Sequence, residues 1–170
     1  MEQTVRKKEN MMDKIKYTFL YVISVLAFAT SLSGIVQVLA GSYIFGGIQS
    51  VGFLIFGIIA FIYKDYMFIE FDYAVYDGNI QFAKVINQKK RKELLNISIN
   101  SIIVIASIAD NRLNQYKKEA QKAYKFVLNE EQEQFFLFVE QKGQKFLIFV
   151  EPNIEFMKEI KAVKPSLNKL

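Results

Sequence analysis

The run 17-YTFLYVISVLAFATSLSGIVQVLAGSYIFGGIQSVGFLIFGIIAFIY-63 decides the fold, because across these 47 residues there is no Asp, Glu, Lys or Arg. Tyr17 to Leu39 supplies 23 mostly apolar residues, or ~34 Å of helix at ~1.5 Å per residue against a hydrocarbon core of ~30 Å. Ile44 to Tyr63 supplies 20 more. Only Ala40, Gly41, Ser42 and Tyr43 separate the two runs, so the helices must be antiparallel neighbours. The first run exceeds the ~7 to 15 apolar residues of a cleavable signal, and a second span follows at once. The expectation is a transmembrane helical hairpin at 17–63, with spans 17–39 and 44–63.

Arg6, Lys7, Lys8, Lys14 and Lys16 precede the first span, Lys64 follows the second, and the connecting turn has no base. The positive-inside rule then places both termini in the cytosol. Tyr17, Tyr21, Tyr63 and Tyr66 fall at the inner headgroup level, where amphipathic rings are favoured. Within the spans, small residues recur at helical spacing: Ala27, Thr30, Ser31 and Gly34, continuing to Gly41, and on the second helix Gly46, Ser50, Gly52 and Gly57. Such stripes let backbones approach closely. Gln37 and Gln49 lie equally far from the turn and form an expected intramembrane polar pair. A polar lining for a conducted solute is the less favoured reading, with two spans and no intramembrane charge.

Outside the hairpin the chain is charged, with 22 Lys and Arg against 17 Asp and Glu and a net charge of +5. It has no Cys and no His. Disulfides, thiolate nucleophiles, the commonest zinc ligands and Ser-His or Cys-His arrangements are thereby excluded. No catalytic, metal or cofactor motif is read, and the expectation is a protein that is not an enzyme and takes no cofactor.

After Lys64 the hydrophobic period changes to two. Met67 to Tyr76 alternates as a strand, Asp77-Gly78 suits a type I′ turn, and Asn79 to Asn87 returns. A third strand is expected within Leu94 to Ile108, where Ile102 to Ile105 reads as buried on both faces. Asp110 to Lys122 reads as a loop or one short helix on Leu113, Tyr116 and Ala120. Strands follow at 123–128, 134–140 and 145–151, the last two joined at Lys142-Gly143. A final helix starts after Pro152-Asn153, sets Phe156, Met157, Ile160 and Val163 on one face, and stops at Pro165. The fold class is therefore an α+β membrane protein: a transmembrane hairpin, then a small antiparallel sheet or partly open barrel of pleckstrin-homology-like order with a C-terminal helix. The domains are a basic flank at 1–16, the hairpin at 17–63, a cytosolic β-rich domain at 65–164 and a tail at 165–170. The flank reads as a surface-lying helix or an extended segment.

The last hairpin carries Phe135, Leu137 and Val139 on one face and Phe136 and Phe138 on the other. One face belongs to the core. The second needs a cover, the C-terminal helix before another subunit or the membrane. Lys89, Lys90, Arg91 and Lys92 form the densest charge cluster, in the turn after the second strand. Three readings stand for it: a solvated turn, contact with anionic lipid headgroups, and a selective headgroup pocket. An upright first hairpin would return this turn to the bilayer. Glu130, Glu131 and Glu133 read as a solvated loop, and Glu70 and Asp72 as the wet side of a sheet. Nucleic acid is not an expected partner.

The tyrosine-rich strand Phe71 to Tyr76 leading into Asp77-Gly78-Asn79-Ile80, the run Lys89 to Lys92 before Glu93-Leu94-Leu95, and Phe149-Val150-Glu151-Pro152 before a helix resemble an uncharacterised bacterial membrane protein family, domain of unknown function family 6106. The resemblance covers almost the whole chain. It implies two spans with a cytosolic domain in the bacterial cytoplasmic membrane, and it brings no activity or site residues. The functional expectation is a non-enzymatic, membrane-anchored module that presents its β-domain to a protein partner or anionic lipid. The alternative is a small accessory subunit of a larger membrane complex, such as a transporter.

Overall fold

The computed structural model describes residues 1–8 and 11–169. Positions 9, 10 and 170, which belong to the flank and tail read from the sequence, lie outside the described residues. Two compact units result. One is helical; the other is built from residues 1–8 together with the chain from Glu70 onward.

In the helical unit, α1 (Met11–Leu39) and α2 (Tyr43–Asp65) pack as an antiparallel pair. Gly41 ends the turn at φ 96°, a conformation that disfavours other residues, while Ser42 N–H donates to Gln37 O at 2.9 Å. The helix interface holds the smallest side chains. Ser24, Ala27, Ser31 and Gly34 are buried on α1, and Gly46, Gly57 and Ala60 on α2, whereas Phe19, Leu26, Phe45 and Phe56 are exposed.

The β unit holds two four-stranded sheets. The first has the order β1 (Glu2–Arg6), β2 (Ile69–Tyr76), β3 (Asn79–Ile86), β4 (Lys90–Ser98). The second has the order β5 (Ile102–Ser107), β7 (Phe135–Gln141), β8 (Gln144–Val150), β6 (Lys122–Lys125), with β6 parallel to β8. Positive φ at Asp77-Gly78 and at Lys142-Gly143 closes the two tight hairpins. Tyr73, Val75, Ile80, Phe82 and Ile97 meet Leu137, Val139, Ile148 and Val150 in the principal core. The helix α4 (Ile154–Val163), capped by the Asn153 side chain accepting from Phe156 N–H at 2.7 Å, adds Phe156 and Ile160 to it.

Four expectations need correction. The flank at 1–16 divides: Met11 to Lys16 is helical and runs into the first span, but Glu2–Arg6 is a strand antiparallel to β2, with Val5 in the core. The helical pair is therefore inserted between the first two strands of the β unit. The third strand is two strands. A 3-10 turn at Ile99–Ser101 carries the chain from one sheet to the other, so Ile97, Ile99 and Ile102 all stay fully buried. A bulge at Ile103 then leaves that side chain exposed, while Ile102 and Ile105 face one core and Val104 the other. The second aromatic face of the last hairpin is covered by α3 (Leu113–Glu119) and not by the C-terminal helix: Leu113, Tyr116 and Ala120 pack on Phe136, Phe138 and Leu147. Seven residues suffice because two of the strip's side chains already meet the Tyr116 ring. The tail at 165–170 also contributes to the fold, for Leu167 is 3% exposed within the principal core.

Candidate functional site

The polar groups of the helical pair converge at one level. Gln37 Nε2 donates to Gln49 Oε1 at 3.1 Å, and Gln49 Nε2 donates to Ser33 Oγ at 2.8 Å and Thr30 O at 3.2 Å. Ser31 Oγ donates to Ser50 O at 2.8 Å. Ala27, Ser31, Gly34, Gly46 and Gly57 lie buried between the helices, whereas Thr30 and Ser50 are half-buried. A Cβ on Gly34 would stand 2.7 Å from Ser50 N and 2.8 Å from Gly46 O, so the backbones touch there. Gly52 has nothing within 4 Å of a built Cβ and takes no part in this contact. At the far end, buried Lys64 pairs with Asp65 at 2.8 Å and lies 4.2 Å from the Phe61 ring centre and 5.1 Å from that of Tyr17.

The basic cluster divides. Only Lys89 is in the turn, closed by Lys89 N–H on Ile86 O at 3.1 Å; Lys90, Arg91 and Lys92 open β4. Arg91 is committed within the domain, to Glu2 at 2.9 Å and Asp72 at 3.6 Å. Lys89, Lys90 and Lys92 are exposed and, among the described residues, have no ion pair. Glu70 and Asp72 hold β1: Glu70 pairs with Arg6 at 3.1 Å, and Asp72 accepts from Thr4 Oγ1 at 2.8 Å.

Sequence reading assigned no role to Glu151, which is 2% exposed. Its Oε1 accepts from Leu128 N–H at 2.5 Å and Asn129 N–H at 2.6 Å, and its Oε2 from Asn129 Nδ2 at 2.9 Å. Asn129 in turn donates to Arg6 O at 2.9 Å, and Gln3 Nε2 donates to Glu151 O at 2.8 Å. The fully buried Tyr73 hydroxyl donates to Phe126 O and accepts from Glu151 N–H at 3.3 Å; burial raises its pKa. A buried carboxylate held by three N–H groups is a clasp between β1, the segment before β7 and the start of α4. The one signal in the sequence was an acid closing an otherwise apolar strand just before Pro152.

Beside α3, the second sheet leaves a groove of about 700 Å³. Leu147 and Phe149 line it from β8, Lys117 from α3, and Lys122, Ala123 and Lys125 from β6. The register sets Ala123 beside Leu147 and Lys125 beside Phe149. On the same helix Glu119 is ion-paired with Lys145 at 3.3 Å, and hydrogen bonds from Gln115 and then Lys145 lower its pKa.

Two four-stranded sheets around a core closed by a C-terminal helix define a pleckstrin-homology-like domain, here interrupted by a pair of long apolar helices. The chain matches the model of the bacterial PH-like domain family DUF6106 over residues 1–168 and belongs to that family. No curated protein and no solved structure matches it.

Proposed function

We propose that this protein is a non-enzymatic, membrane-anchored interaction module, whose helical pair crosses the bacterial cytoplasmic membrane twice and holds the PH-like domain at the inner leaflet. The observation that carries the reading is the inside-out packing of the helices. Only 22% of the most apolar window of α1 and 17% of that of α2 is buried, and the small residues are the ones inside. A soluble core helix of this hydropathy is covered by protein; these leave their large side chains for lipid. The strand pairing supports a hairpin, with both ends on the same side, independently of charge. The helices are spliced between β1 and β2, which pair with each other, so both ends of the hairpin must lie on one side of the bilayer. The bases at Arg6, Lys7, Lys8, Lys14, Lys16 and Lys64 favour the cytosolic side. Exposed Lys89, Lys90 and Lys92 add a surface suited to anionic headgroups.

The chain has no cysteine, so single replacements report topology directly. Ser42→Cys, in the turn, should react with a membrane-impermeant maleimide added to intact spheroplasts, and exposed Asn114→Cys only after lysis. Labelling of Asn114→Cys in intact spheroplasts, or release of the chain by alkaline carbonate, overturns the reading. One observation favours the accessory-subunit alternative: the open space at Gly47 and Gly52 admits the backbone of a further helix. Loss of a large complex on native gels in Gly52→Leu would select it.

A further inference from the structure

The helix α3 covers most of the second aromatic face but stops short of Phe149, which is half-buried with the Lys125 ammonium 6.0 Å from its ring centre. The resulting groove has an apolar floor, half-buried Phe149 beside fully buried Leu147, and no Asp or Glu in its lining. Three cations come to it from two elements, Lys117 from the helix and Lys122 and Lys125 from the edge strand. All three are exposed and have no ion pair among the described residues, whereas nearby Lys145 is neutralised by Glu119. This is an uncompensated positive frame around an apolar strip.

We propose that this groove docks an acidic, apolar segment of a partner protein, with an apolar side chain seated on Phe149 and carboxylates set against Lys117, Lys122 and Lys125. The inference rests on the interaction-module reading and gives the partner its chemistry. A polypeptide is favoured over a lipid by the placement of charge. The floor is flanked by cations from both the helix and the strand, matching acid, apolar, acid along a chain, whereas a single-headed amphiphile concentrates its charge at one end. Lysines on an edge strand also deter indiscriminate pairing; the same charges admit an acidic segment and reject a basic one.

The test uses the full chain in discs of phosphatidylcholine, titrated with a short fluorescein-labelled peptide of alternating glutamate and leucine and followed by anisotropy. The peptide should bind, and its glutamine-for-glutamate counterpart should bind roughly tenfold more weakly. Replacing Lys117, Lys122 and Lys125 together by Gln should weaken the acidic peptide by a similar factor. Ala123→Phe, which fills the groove from an exposed position, should do so while leaving the circular dichroism spectrum unchanged. Replacing Lys89, Lys90 and Lys92 by Gln should leave binding as it was. Equal binding of the two peptides, an indifferent groove triple variant, or a loss that follows the Lys89 group overturns the proposal. So does displacement of the peptide by soluble short-chain phosphatidylglycerol that vanishes in the groove variant, since the occupant is then lipid. Maleimide labelling at Ser42→Cys is scored separately, so failure of anchoring and failure of the groove give different results.

Discussion

The helical pair and the β unit are packed on opposite rules. Between α1 and α2 the buried residues are Gly, Ala and Ser, joined by Lys64 at the end of α2, and most of the phenylalanines and leucines face outward. In the β unit Tyr73, Phe82, Phe136, Phe138 and Phe156 are inside, and most outward positions are polar. Large apolar side chains are driven inward only where the alternative is water. In lipid that drive vanishes, and what remains is close backbone approach and a few hydrogen bonds. If the pair spans the bilayer as proposed, one chain carries two solvents in its packing, and substitutions should affect the two units by different mechanisms.

The largest effect should come from the water-facing unit. Phe156→Ala removes a fully buried ring 5.5 Å from that of Tyr73 and should cost ~3–5 kcal/mol through lost burial and a cavity. Guanidinium unfolding of the full chain, followed by tyrosine near-ultraviolet dichroism, measures it; a loss within ~0.5 kcal/mol would break the contrast. In the helical unit a larger residue, not a smaller one, should do the damage. Gly34→Leu has no room beside Ser50 and Gly46 and should destabilise the pair by ~1–3 kcal/mol. Cysteines at Gln37 and Gln49 should then cease to cross-link, while Gly52→Leu leaves them cross-linking. Gln49→Leu should cost only ~0.6 kcal/mol in a bilayer, read from detergent-induced unfolding, because the amide finds other partners when the helices separate. The smallest effect lies at the surface of the β unit. Arg112, through its guanidinium and then its backbone N–H, lowers the Asp110 pKa from 3.8 to about 2. A depressed carboxylate stabilises the fold above the higher value and loses that contribution as pH falls toward the lower one. Asp110→Asn should therefore match the parent chain near pH 2 and fall slightly below it above pH 4, in acid titrations of the unfolding midpoint.

The elements with strong periodicity were legible in the sequence: the two apolar runs, the Asp77-Gly78 and Lys142-Gly143 hairpins, and the capped terminal helix. What escaped was structure that exists only by pairing. Glu2–Arg6 is a short polar stretch with one buried side chain, Val5, and nothing in its own composition separates it from a charged flank. The break at Ile99–Ser101 is hidden inside a run of isoleucines that any continuous strand would also show. α3 lost to α4 as the expected cover because it offers three contact residues against four, yet its place in the chain brings it onto the open face. The groove and the Glu151 clasp were invisible for a related reason: each joins residues from at least three separate elements.

The splice between β1 and β2 has a consequence for biosynthesis. Thr4 and Asp72, which meet across these strands, stand 68 positions apart. The first strand leaves the ribosome before either helix, and its docking edge is made only after both. If the helices thread the bilayer as proposed, a correctly returned hairpin brings the two halves of the sheet to the same compartment. A hairpin left half-threaded strands them on opposite sides, with β2 presenting a bare edge and Glu151 missing part of its clasp. Completion of the sheet would then be a checkpoint on insertion, with the β unit unable to close until the membrane step has succeeded.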